Sequence, residues 1–228
     1  MNIFTSAATI RVWDLPTRFF HWLLVLLIAL LYLSGEFGLL PMQWHAWLGY
    51  ATLALVMFRV LWGFTGSQTS RFENFVYGPR MVLRYVIDSL RGRWVRVPGH
   101  NPLGGWSVLL LLMTVMVQTI SGLFSSDDMS EEGLFAAYVS NATVKLMTRI
   151  HHLGHIVLLA LIVTHIAAVL LYLLVRKDNL VRPMLSGRAY FENAPSLRFV
   201  SAWLAFVLLA LSAGVVWALV VWGTAAGR

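Results

Sequence analysis

Five long apolar runs divide this chain: Thr17–Leu39, His45–Phe64, Trp106–Phe124, Ile150–Val175 and Phe199–Trp222. Each has, or nearly has, the ~20 residues that a helix needs to cross a bilayer. Hydrocarbon offers no partner to peptide groups, so runs of this length must satisfy their own hydrogen bonds as helices. Only 12% of the residues are charged and 59% are hydrophobic, where a soluble domain carries about 25% charged residues. The expected fold is therefore an all-α membrane protein. The first run is interrupted near its far end by Glu36. Asp14 and Pro16 precede it and no small-residue cleavage site follows, so no cleavable signal peptide is expected.

The net charge of +7 reflects orientation rather than an affinity for nucleic acid. With the N-terminus in the cytoplasm, Arg11, Arg18, Arg59, Arg71, Arg80, Arg84, Arg91, Arg93, Arg96, Arg176, Lys177, Arg182, Arg188 and Arg198 lie inside. That leaves Lys145, Arg149 and Arg228 outside, a bias that the positive-inside rule assigns to a cytoplasmic N-terminus and a periplasmic C-terminus. Asn101-Pro102 is a cap followed by a first-turn proline, and Asp14 with Pro16 makes a similar signal before the first run. Between the second and third runs, Pro79–Trp94 is expected to form an amphipathic helix on the anionic inner leaflet. Arg80, Arg84, Asp88 and Arg91 fall on one side; Met81, Val82, Val86 and Leu90 fall on the other.

Four of the seven histidines fall at matched depths in these helices. His21 begins the first helix and His165 lies deep in the fourth, both toward the cytoplasm; His45 and His151 lie toward the outer face. His151 and His165 are fourteen residues apart, which returns to within about 40° of the same helix face, about 21 Å along the axis. The pairs His21–His165 and His45–His151 then match the axial ligands of two stacked haem irons, one near each membrane face. Bis-histidine ligation fills both axial positions and suits electron transfer. The chain has no cysteine, which excludes disulfides, iron–sulfur clusters and covalent c-type haem, so such haem would be held noncovalently. His152 points about 100° away from His151 and His155 about 40° away; either is an alternative ligand. His100, before the third helix, is expected to be structural or a proton relay.

The same fourteen-residue step links His21 to Gly35 and His45 to Arg59. A glycine lets a porphyrin approach the backbone, which makes Gly35 and Gly49, and also Gly154, candidate cofactor-binding positions. Arg59, and Arg18 one turn before His21, are candidate partners of haem propionates. Trp22 could touch the ring. Gln118 is expected to cross-link helices rather than bind a quinone.

The motifs resemble a known family. Val12-Trp13-Asp14, Arg18, His21-Trp22, His45, Gly49-Tyr50, Arg59, Trp62-Gly63, the stretch Gly99–Gly105, His151, His165, Arg176, Asn179, Arg182-Pro183 and Gly187 resemble the bacterial cytochrome b561 and nickel-hydrogenase b-type cytochrome family. One departure is His152, where the family commonly has Glu. The resemblance covers about residues 10–190. It implies a four-helix transmembrane bundle holding two haem b groups, with His21, His45, His151 and His165 as iron ligands. It also implies electron exchange with the membrane quinone pool, ubiquinone or menaquinone, in the bacterial inner membrane. Residues 191–228 add a fifth transmembrane helix, expected to pack outside the core or to mediate assembly; homo-oligomerisation is left open.

The expected function is electron transfer between quinone and a periplasmic redox partner, such as a c-type cytochrome or an oxidoreductase subunit. Asp127, Asp128, Glu131 and Glu132 in the outer loop would steer a basic partner. A stand-alone superoxide:quinone oxidoreductase is an alternative that this acidic loop disfavours. A haem-free transporter or assembly protein is a third, and it lacks the paired broken helices of many transporters.

Overall fold

The computed structural model describes residues 7–93, 96–126 and 132–226. Five long helices are long and apolar enough to cross a membrane: α1 (Leu15–Gly35), α2 (Met42–Thr65), α5 (Pro102–Gly122), α6 (Asn141–Leu174) and α8 (Ala202–Ala226). Three shorter helices lie between them: α3 (Phe72–Phe75), α4 (Pro79–Leu90) and α7 (Val181–Ser186). The fold is a helical membrane bundle with one small β addition. Strands β1 (Ala8–Arg11) and β2 (Arg188–Phe191) pair antiparallel, Ala8 opposite Phe191 and Arg11 opposite Arg188.

Local chemistry sets the helix starts. Asp14 accepts from the Thr17 amide at 2.8 Å, and Asn101 accepts from the Gly104 amide at 2.8 Å, each followed by a first-turn proline. Helix α6 begins nine residues earlier than its apolar run, where Ser140 accepts from the Thr143 amide. Helix α1 stops at Gly35 and not at Leu39: Gly38 takes the left-handed conformation (φ +60) and the Leu39 amide turns back to the Leu33 carbonyl at 3.1 Å. Helix α4 ends at Leu90, short of Trp94, which lies outside the described residues.

Asp14 does more than cap. It is fully buried, and Trp62 Nε1 (3.2 Å) and Ser70 Oγ (3.4 Å) both donate to its second oxygen. Thr17 and Ser70 share a further bond of 2.6 Å. The start of α1 is thereby tied to the end of α2. The β ribbon covers the same end over Val12, Trp13, Ala189, Phe191 and Ala194. Gly187 makes the turn between α7 and β2 at φ +78, where a β-carbon would stand 2.9 Å from the Trp13 carbonyl oxygen.

Helix α8 packs along α2 and lightly against α1, and its inward face joins the hydrophobic core. Ala205 joins Phe20, Leu27, Leu55, Val56, Phe58 and Trp62 in one cluster, while Val216 and Val220 join Leu53, Ala54 and Phe135 in another. Helix α6, in contrast, packs chiefly on α5 and buries only Leu158.

Candidate functional site: two facing histidine pairs

The structure brings His21, His45, His151 and His165 together two by two. The ring centroids of His21 on α1 and His165 on α6 are 6.4 Å apart. Those of His45 on α2 and His151 on α6 are 6.3 Å apart. Metal–imidazole bonds are about 2.0 Å, and a ring centre lies about 1.1 Å behind its nitrogen, so two axial imidazoles on one iron have centroids about 6.2 Å apart. Both pairs have about that separation.

Second contacts orient the His45–His151 pair. Ser34 Oγ lies 2.9 Å from His45 Nδ1. The His151 Nδ1 lies 3.0 Å from the Gln118 carbonyl oxygen and 3.3 Å from Ser121 Oγ. Engaging Nδ1 on both rings leaves Nε2 as the nitrogen for a metal, the arrangement that usually fixes a ligating histidine. At the other pair, His21 Nδ1 is buried without a partner among the described residues, and Trp22 meets the His21 ring edge-on at 5.0 Å. Trp22 also donates to the Met184 carbonyl at 3.3 Å.

The candidate glycines divide. A β-carbon on Gly35 would stand 3.0 Å from His45 Cε1, so Gly35 makes room for the imidazole itself. Gly122 does the same for His151, at 3.1 Å, a role that sequence reasoning missed. A β-carbon on Gly49 meets nothing within 4 Å, which leaves that face of α2 open for a flat ring. Gly154 lies against the Gln118 side chain and so clears Gln118 rather than a porphyrin. Gln118 Nε2 donates to the His151 carbonyl at 3.0 Å, the helix cross-link expected for it.

Arg59 is 2% exposed, and its Nη1 has no hydrogen-bond partner among the described residues. Its guanidinium lies 5.4 Å from the Phe72 ring centre and 5.9 Å from that of Phe20. The buried Asp14 carboxylate offsets its charge through space, and the unbonded Nη1 is suited to receive a further carboxylate. His100 packs between Trp13 (4.8 Å) and Phe75 (4.6 Å). Burial, and then the Arg59, His165 and His21 side chains near it, hold His100 down to about 3, so it is neutral. His100 thus lies within electrostatic reach of Arg59 and of both His21 and His165. Arg18 Nη1 donates to the Leu185 carbonyl, which turns that head toward the α7–β2 turn, while its Nε is buried without a partner among the described residues.

The two alternative ligands have other neighbours in the structure. His155 Nε2 lies 3.4 Å from Glu36 Oε1, and His152 faces His155 at 6.4 Å. Of the acids expected to steer a partner, Asp127, Asp128 and Glu131 lie outside the described residues; Glu132 forms a β-bridge with Ser126.

A helical membrane bundle with histidines paired across its helices is the arrangement expected of a membrane cytochrome of the b type. Residues 12–187, well over half of the 228 in the chain, match the family model of prokaryotic cytochrome b561. The chain belongs to that family, whose members bind b-type haem and transfer electrons in the membrane. No curated protein matches the chain.

Proposed function

We propose that the protein is a di-haem transmembrane electron carrier, with His21–His165 and His45–His151 as the two axial pairs. The observation that carries this is the centroid separation of both pairs, 6.4 and 6.3 Å, the spacing of imidazoles on opposite sides of one iron. Bound haem would supply one-electron chemistry at iron. The protein's residues do the rest. Ser34, Ser121 and the Gln118 carbonyl orient one pair of rings through Nδ1. Gly35 and Gly122 give those rings their space, Gly49 leaves room for the macrocycle, and Arg59 offers its free Nη1 to a propionate. Arg18 is a second propionate candidate through its buried Nε.

Residues 10–190 form the haem-binding domain in this proposal, and 191–228 add the fifth helix. The distribution of lysine and arginine supports a cytoplasmic N-terminus and a periplasmic C-terminus in a bacterial inner membrane. Electrons would then pass between ubiquinone or menaquinone and a periplasmic redox protein such as a cytochrome c. The test is haem per chain by pyridine haemochrome, on the wild type and on His165→Ala. Two b-type haems falling to one are expected; a colourless wild type overturns the proposal.

A further inference from the structure

Helix α4 is the strongly amphipathic element of the chain, and none of its residues is buried. It has three distinct sides. One is fastened to the bundle: Tyr85 OH lies 2.7 Å from Tyr172 OH, and Arg176 donates to the Ser89 carbonyl at 3.3 Å. These bonds fix the rotation of α4 about its axis. The second side is apolar. Pro79, Val82, Leu83 and Val86 line, with Trp106 at the start of α5, an open groove of about 330 Å³. Trp106 is held there by its Nε1, which donates to the Tyr77 carbonyl at 2.8 Å. Leu83 in the groove is 62% exposed.

The third side is cationic. At about 100° per residue, Arg80, Arg84 and Arg91 fall within about 40° of one another, on the flank next to Leu83. The one acid among them is Asp88, which lies 3.8 Å from Arg84 in an exposed pair of little strength. A row of exposed guanidinium groups beside an apolar groove is the complement of a phospholipid. The phosphate takes the charge-assisted bonds and a chain takes the groove.

We propose that α4 and Trp106 form a binding site for an anionic phospholipid, with Arg80 and Arg84 on its headgroup phosphate and one acyl chain in the groove. Arg91 extends the cationic flank by two turns. The excess of arginine over acid on that flank selects a headgroup with net negative charge over a zwitterionic one. The groove selects a lipid over a free phosphate ion, which has no apolar area to bury. The site does not depend on the haem assignments.

The test uses the full-length protein in detergent, titrated separately with phosphatidylglycerol, phosphatidylcholine and inorganic phosphate. Bound lipid is counted by native mass spectrometry and protection is read from thermal melting. Phosphatidylglycerol should bind about tenfold more tightly than phosphatidylcholine, and inorganic phosphate should not protect. The double variant Arg80→Gln/Arg84→Gln should lose that preference while still binding phosphatidylcholine. Leu83→Gln should weaken both lipids. All three substituted side chains are exposed, and an unchanged lipid-free melting curve shows that the variants fold. Equal binding of the two lipids by the wild type overturns the proposal, as does an undiminished preference in the double variant. Protection by inorganic phosphate alone also overturns it.

Discussion

Ser34 holds the His45 imidazole from within the membrane: its Oγ lies 2.9 Å from Nδ1, and it also donates to the Leu31 carbonyl at 3.0 Å. A hydroxyl anchored to its own helix is a stiff stop for a ring on the neighbouring helix. Ser34→Ala should leave the fold intact and loosen this one ligand. Haem affinity at that site should fall by roughly 10-fold, the usual cost of losing such a supporting contact. Haem retention on detergent dilution, alongside His165→Ala, assigns the loss to the His45–His151 site. Equal retention in wild type and variant would remove Ser34 from the machinery.

Gly35 and Gly49 should respond differently to the same substitution. Gly35→Ala puts a methyl group 3.0 Å from His45 Cε1 and displaces the ring with or without cofactor. Gly49→Ala meets no protein atom within 4 Å, so its effect should appear only in the haem-loaded protein. Melting temperatures of apo and loaded forms separate the two.

Arg59→Gln should weaken retention of the haem at the His21–His165 pair by about 10-fold or more, the worth of one charge-assisted bond of ~1.5–3 kcal/mol. The discriminating measurement replaces haem by its dimethyl ester. Wild type should hold the ester less tightly than the acid, and Arg59→Gln should hold them equally. A preference of the same size in both would show that Arg59 has no carboxylate partner.

His100 should make the fold sensitive to acid. Its value is lowered from 6.5 to about 3, so the unfolded chain takes up a proton that the folded chain refuses. The stabilisation is complete above pH 6.5 and is lost progressively as the pH falls from there toward 3. His100→Phe keeps a ring between Trp13 and Phe75 and should lose less stability than wild type between pH 7 and pH 4. Parallel melting curves over that range would contradict this.

Asp14→Ala removes a helix cap together with two buried acceptor contacts, from Trp62 and Ser70. A loss of roughly 2–4 kcal/mol is expected, read as a lower melting temperature in detergent. Asp14→Asn keeps the cap through Oδ1 but sets an amide nitrogen against both donors, so it should recover only the cap's share, about 1 kcal/mol.

The membrane helices and the histidine pairs were legible in the sequence because both follow from one period. Apolar length announces the helices, and a fourteen-residue step puts His151 and His165 on one face. Depth alone then matched them to His21 and His45. Smaller groups carry no such signal. Ser34, Ser121 and Gly122 act through contacts with a neighbouring helix, and serine and glycine are common in membrane helices for other reasons. The early start of α6 was hidden because Lys145 and Arg149 end the apolar run without ending the hydrogen bonding. The register of α8 on α2 was equally hidden, since a helix apolar on all sides does not announce which face is inward. The β ribbon joins two four-residue segments from opposite ends of the matched region, too short and too far apart for any local pattern.

That ribbon also sets a schedule. Ala8–Arg11 leaves the ribosome first among the described elements, yet its partner Arg188–Phe191 follows only after four membrane helices have been made. At ~5–20 residues per second, the first strand waits on the order of 10–40 s for its mate. During that interval α1 is already threaded into the bilayer with its leading strand unpaired. Closure of this end of the bundle is thus among the last events of biosynthesis, and a tag fused ahead of Ala8 would burden the step that completes it.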